Sequence, residues 1–335
     1  MKRTLKITAV LLVIVMLSPL MVAFARPVCP IERQMAQIYA QAVADVTDEQ
    51  IAEIAALREA EEEFLANLSP ETMWEEWLKD NCVAGLSRAE IRYIREKIEG
   101  LYEHMTDTSH ISYDVMGDRS AGQIVANSTP LSRNIEVWTR RFSRMDGLTN
   151  AVVVSAIEAY GVMAGASAAV SFPNDHWKQD AFRHYAWNFF AAGSVAVGIT
   201  SAGRTSSTRI YTTNREWVSM FFATHQREGY GNISNPTDHQ IAKGINWRNR
   251  VMNMGFWEWN AVFLFNNNGI GLESLMDLWN NEFGRRDASS TRELSIVLFN
   301  IRWNNNELIR RPGDTEVTLV RREQIYHNGW DMPVR

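Results

Sequence analysis

Residues 148–172, LTNAVVVSAIEAYGVMAGASAAVSF, are almost entirely apolar apart from Glu158, and a second apolar stretch, YAWNFFAAGSVAVGI, occupies 185–199. The first is long enough to be tested as a membrane span, so the pair demands either a bilayer or protein on every side. Composition favours protein. The first run is rich in Ala, Gly and Ser rather than Leu, carries Gly161 and Gly165 in GVMAG, and both stretches hold polar groups that typical spans lack. The expectation is a tightly packed buried helix in a mainly α protein. Insertion of the two segments into a membrane is the alternative.

Between them lies NDHWKQDAFRH, residues 174–184. At about 100° per residue, His176, Asp180, Arg183, His184 and Trp187 fall on one helix face, with Phe182, Tyr185 and Phe189 opposite. Four residues advance about 6 Å, so one ion can reach Asp180 and His184, or His176 and Asp180, but not all three without a bridging carboxylate. A catalytic zinc takes three protein ligands and keeps a position open. The next supply is NREWVSMFFATHQREGYG, where Trp217, Phe221 and His225 recur every four residues and Glu228 follows one turn on. A histidine and a glutamate drawn toward a core need partners. Asp180, His184 and His225 are therefore the expected ligands of a divalent ion, zinc by preference. Glu228 is a further ligand or general base, and Arg183 stands beside them to hold an anion. The competing account makes His225 a satisfied core histidine and leaves the 176–184 face in water.

The first of these elements, DAFRH with Trp187 and Asn188 after it, and the His of ATHQREG resemble a family of secreted bacterial domains of uncharacterised activity, some attached to toxin-like chains. That family's signature runs D-A-F-R-H, A-H-E, H-N-N-x-x-G. Asp180, Arg183 and His184 match the first element, His225 the second, and Asn266, Asn267 and Gly269 or Gly271 the third. Gln226 stands where the family has Glu, with Glu228 close by to take its part, and Phe265 stands where it has His. The likeness covers about residues 174–275 and implies export, but no particular reaction.

Export is also what the N-terminus predicts. MKRTLK is a basic n-region, ITAVLLVIVMLSPLMV an apolar core, and AFA places Ala23 and Ala25 where signal peptidase cuts, so residues 1–25 read as a secretory signal. Its apolar core is longer than usual, which keeps an uncleaved anchor as the alternative. In an oxidising compartment Cys29 and Cys82 are the one available disulfide pair.

Charge is uneven along the mature chain. Residues 31–104 carry 17 acidic against 7 basic side chains, and residues 105–335 carry 22 against 23. The first part, 26–105, is expected to be an acidic helical module with a solvated outer face. Its helix starts are marked by TDEQ at Thr47, SPET at Ser69 and SRAE at Ser87. Residues 106–132 form a linker or loop, and 133–335 a mainly helical, bundle-like domain ending in a short β-hairpin over ELIRRPGDTEVTLV. Neither part has the bulk positive charge that grips nucleic acid. The runs FNNNG, WNNE and WNNNE suit turns and caps. No Gly-rich phosphate loop, nucleophile elbow or H-E-x-x-H helix is present.

These readings converge on a secreted metal-assisted hydrolase acting on a phosphoester or an envelope component. A non-enzymatic carbohydrate-binding envelope protein using Trp247, Trp257 and Trp259 is the other class the residues allow.

Overall fold

The computed structural model describes residues 30–106, 130–265, 270–288, 292–313 and 315–328. The signal segment, Cys29, Asn266, Asn267, Gly269 and most of the 106–132 linker lie outside the described residues. Thirteen α-helices, and no strand, occur among those described. They are α1 (Pro30–Ala44), α2 (Asp48–Ala66), α3 (Pro70–Leu78), α4 (Arg88–Thr106), α5 (Pro130–Met145), α6 (Ala151–Ser171) and α7 (His176–Gly193). Then follow α8 (Ser201–His225), α9 (Asp238–Met252), α10 (Phe256–Phe265), α11 (Ile270–Arg286), α12 (Arg292–Asn304) and α13 (Leu319–Asn328).

The helix starts follow from local chemistry. Thr47 accepts from Gln50 N, Ser69 and Thr72 cap each other ahead of Pro70, and Ser87 and Glu90 form a reciprocal pair. Each such cap is worth about 1 kcal/mol to its helix. The expected hairpin is absent, because its apolar residues plug the interior instead of pairing with one another. Leu308, Ile309 and Val317 are buried, and the Ile309 backbone is held at both its N–H and its C=O by the Asn280 side chain, at 3.1 and 3.0 Å. Thr318 then accepts from Arg321 N at the head of α13.

Helix α7 is central, with α6, α8, α11 and α12 packed around it. Its closest approach is to α11 at Gly284, where a Cβ would lie 2.1 Å from the Tyr185 carbonyl oxygen and 3.0 Å from Asn188 Cβ. Helix α6 is the one helix among the described residues long and apolar enough to cross a membrane, yet 67 % of that stretch is buried in the protein. Its single carboxylate, Glu158, accepts from Arg140 Nε of α5 at 2.7 Å and from Tyr211 Oη of α8 at 2.5 Å, so its charge is answered inside the fold.

Two apolar clusters result. One gathers Trp138, Phe142, Trp217, Phe221, Trp247 and Trp259, and the other Trp77, Ile157, Phe182, Tyr185, Trp187 and Phe299. Phe283 of α11 packs against both. The acidic helices contribute to each, Ile38 and Ile54 to the first and Met73, Ile94 and Ile98 to the second, so they share the cores of the larger part. Trp77 donates to the Ala196 carbonyl at 3.0 Å, and Glu61 is buried against Arg140, Arg141 and Arg144 of α5. Some of the acidic charge thus docks onto an arginine row rather than facing water. Among the described residues Cys82 is an exposed free thiol.

Candidate metal centre

Asp180, His184 and Asn188 recur every four residues, so they share the face of α7 turned to α8 and α11. That face is not solvated. Side-chain exposure falls from 27 % at Asp180 to 11 % at Asp277 of α11, 5 % at Glu216 of α8 and 4 % at His184. Asp180 is the member nearest solvent, and Glu216 and His184 are the most deeply buried.

One ligand atom each from Asp180, His184 and Asp277 lies within 4.8 Å of the others, a buried group that could hold a metal ion. His184 Nε2 is 4.0 Å from Asp180 Oδ1 and 3.4 Å from Asp277 Oδ1, and His184 Nδ1 is 3.8 Å from Glu216 Oε1. Glu216 and Asp277 are hydrogen-bonded to each other. Arg183 Nη2 reaches both Asp180 Oδ1 and, at 2.9 Å, His184 Nε2.

The tautomer of His184 follows from a relay of fixed polarity. Arg285 Nη1 can only donate, and it does so to Asn188 Oδ1 at 2.6 Å, as does the Thr212 hydroxyl at 3.0 Å. Asn188 Nδ2 must then donate to Asn281 Oδ1, at 2.6 Å. That oxygen in turn accepts from His184 Nδ1–H at 3.3 Å. His184 Nε2 is left as a lone pair facing two carboxylates, the orientation a second-shell partner imposes on a metal-binding imidazole.

The electrostatics agree with that arrangement. Burial, with Arg183 and Arg215 beside it, holds the His184 imidazole neutral, well below its usual range. Burial pushes the Glu216 carboxyl up to about 7 against the pull of Arg215 and Arg183. Burial and then Asp180 and Glu216 push Asp277 well above the usual carboxylate range. Asp277 Oδ1 is buried with no hydrogen-bond partner, and a lone pair opposite it at 3.4 Å offers it no proton. An uncompensated buried oxygen of this kind costs about 1–3 kcal/mol or more, and a cation seated among the three ligand atoms removes that cost.

No family model, curated protein or solved structure matches the chain. The site is therefore read from its own atoms.

Two of the residues singled out in the sequence are not part of it. His225 ends α8 and Glu228 lies in the 3-10 turn that follows, Gln226–Glu228: nine residues separate His225 from Glu216, about 13.5 Å of helix rise. There His225 lies among Tyr39, Phe221, Tyr230 and Trp247, with the Tyr39 ring tilted against it at 3.9 Å between centroids, and Glu228 accepts from the Tyr39 hydroxyl at 2.5 Å. The period-four pattern that picked out His225 marks the apolar face of α8. Glu216, one residue and about 100° round from Trp217, is on the face that meets α7. Asp277 and Asn281 repeat on α11 the four-residue spacing of Asp180 and His184. The run WNNE was nevertheless read as turn and cap, whereas Asn280, Asn281 and Glu282 lie in mid-helix with interior partners. Of the three candidate sugar-stacking tryptophans, Trp247 and Trp259 are fully buried and Trp257 is exposed.

His225 has its own signature. Burial brings its imidazole down to about 3, whereas an unfolded chain takes up the proton near 6.5. Its contribution is complete above 6.5 and is lost as the pH falls toward 3, up to about 5 kcal/mol. His225→Leu should keep any bound metal and show a flatter loss of urea resistance between pH 7 and 4 than the wild type. An equal loss in both proteins would refute the assignment.

Proposed function

We propose that the protein is a secreted, metal-dependent hydrolase whose divalent ion, zinc by preference, is held by Asp180, His184 and Asp277. The observation that supports this most is the buried Asp277 Oδ1, without a hydrogen-bond partner, 3.4 Å from the His184 Nε2 lone pair that Arg183 Nη2 also meets. Membership of the D-A-F-R-H family belongs to the same proposal, carried by Asp180, Arg183 and His184.

A bound divalent ion supplies a water made acidic enough to attack at neutral pH. The chain supplies the rest. Glu216, buried beside the ligand atoms and hydrogen-bonded to Asp277, would serve as the general base, the role given to Glu228 on spacing alone. Asn281 keeps the His184 ring in register through Nδ1, and Arg183 lies where charge develops on the substrate. Asp180, the most exposed member, marks the side from which substrate enters.

The test is metal content followed by turnover. The chain purified without chelator should carry close to one divalent ion, lost in His184→Ala, and should cleave nitrophenyl esters or phosphoesters. Glu216→Gln should keep the ion and lose roughly 100-fold or more in kcat, the span of a general base. A wild type without metal, at full stability and unaffected by added zinc or manganese, would end this reading.

A further inference from the structure

The His184 imidazole has one lone pair and two groups that can use it. The relay from Arg285 puts the ring proton on Nδ1, so Nε2 carries a single in-plane lone pair, and Arg183 Nη2 donates to it at 2.9 Å. The same Nη2 donates to Asp180 Oδ1. Those two acceptors, with Asp277 Oδ1 at 3.4 Å from Nε2, are the atoms that would hold the metal. One nitrogen lone pair cannot bind an ion and accept a hydrogen bond at once. The guanidinium has to leave Nε2 before an ion can seat there.

Charge points the same way. Asp180, Glu216, Asp277 and Glu273 act on this region together with Arg183 and Arg215, four carboxyls against two guanidiniums. Arg183 is the guanidinium that touches the ligand atoms, and a fixed positive charge there opposes any second cation. It is also able to move. Its side chain is 16 % exposed, against 4 % for His184, and it has a further interaction besides these two, so giving them up does not strand it.

We propose that Arg183 is an internal competitor for the metal. In the metal-free protein its guanidinium takes the ion's place on Asp180 and His184, and the ease with which it is displaced sets the divalent-ion concentration at which the site loads. This rests on the metal centre of the hydrolase reading and gives that centre a regulation. The arginine satisfies two of the three acceptors until an ion arrives, so the chain can fold before it is loaded. Asp277 Oδ1, which has no hydrogen-bond partner, is the acceptor kept for the ion. Loading exchanges one cation for another at the same atoms and breaks no covalent bond.

The probe is zinc, titrated against a competing chelator into metal-stripped protein, with melting temperatures recorded with and without the ion. Arg183→Ala should bind zinc at least about 10-fold more tightly than the wild type, because a charge-assisted hydrogen bond to a ligand atom and an opposing charge are both gone. Without zinc the variant should melt below the wild type, and zinc should raise its melting temperature by more than it raises that of the wild type. Arg183→Gln, also neutral but closer in size, should change in the same direction and decides the matter if the Ala variant does not fold. A residue that merely props the site gives the reverse, looser zinc and a smaller thermal gain. Folded variants that bind zinc no more tightly than a zinc-binding wild type overturn the competitor assignment and leave the metal centre standing. Wild type and variants that all ignore zinc remove the metal centre and this inference together.

Discussion

Asp277→Asn is expected to abolish stoichiometric metal binding and, at the same time, to make the metal-free protein more stable at neutral pH. The first effect removes an anionic ligand, which should cost more than the roughly 10–100-fold in affinity that a second-shell partner commands. The second comes from crowding. In the metal-free protein Glu216 and Asp277 both hold protons more tightly than an unfolded chain would, Glu216 up to about 7 from 4.5. A group whose folded value is raised takes stability away as the pH climbs from the ordinary carboxylate range through that folded value. In the metal-free wild type these two carboxyls should therefore subtract stability between about pH 4.5 and 7, opposite in sign to what His225 adds over the same range. Asp277→Asn should remove part of that loss, because the raised titration of Asp277 itself is gone. Thermal melts at pH 5 and 7.5, with and without zinc, read both effects. A variant that loses metal and is also destabilised at every pH would show that Asp277 is a structural residue.

Gly284→Ala should be among the most damaging single methyls in the protein. Its Cβ would fall 2.1 Å from the Tyr185 carbonyl oxygen, which is α7 backbone and cannot rotate aside. Helix α11 must back away from α7, with a cost at or beyond the upper end of the roughly 1–3 kcal/mol usual for overpacking. The same displacement parts Asp277 and Asn281 from His184. Metal affinity should fall together with the urea midpoint, although no ligand has been touched. Gly147→Ala is the control of opposite kind: nothing lies within 4 Å of its Cβ, but its φ of +89° strains any side chain, so it should destabilise without altering metal affinity. A Gly284→Ala protein that keeps its stability would mean the two helices are not packed as described.

Much of the fold was legible because it rests on short-range rules. The caps at Thr47, Ser69 and Ser87, the buried character of 151–171 and the polar face of 176–184 all follow from residue type and period. The terminal hairpin was misread because turn residues between apolar ones do not say whether those residues pair with each other or fill a gap. Half of the site was legible for the same reason. Asp180, Arg183 and His184 sit within one turn and a half of one helix. Glu216 and Asp277 come from elsewhere in the chain, and only the packing of α8 and α11 on α7 brings them in. His225 was attractive on spacing, yet a period of four on an apolar helix marks the core more often than a ligand.

The hydrogen-bond relay from Arg285 through Asn188 and Asn281 to His184 bears on how such a protein can change over generations. Every link has one donor and one acceptor, and the direction of all of them is set at the arginine end. Asn281 only accepts, so Asp in its place keeps both bonds, whereas Asn188 must accept from Arg285 and Thr212 and donate to Asn281 with one amide, and Asp there sets two acceptors face to face. The relay is thus free to drift at its end while its middle residue stays fixed across a lineage.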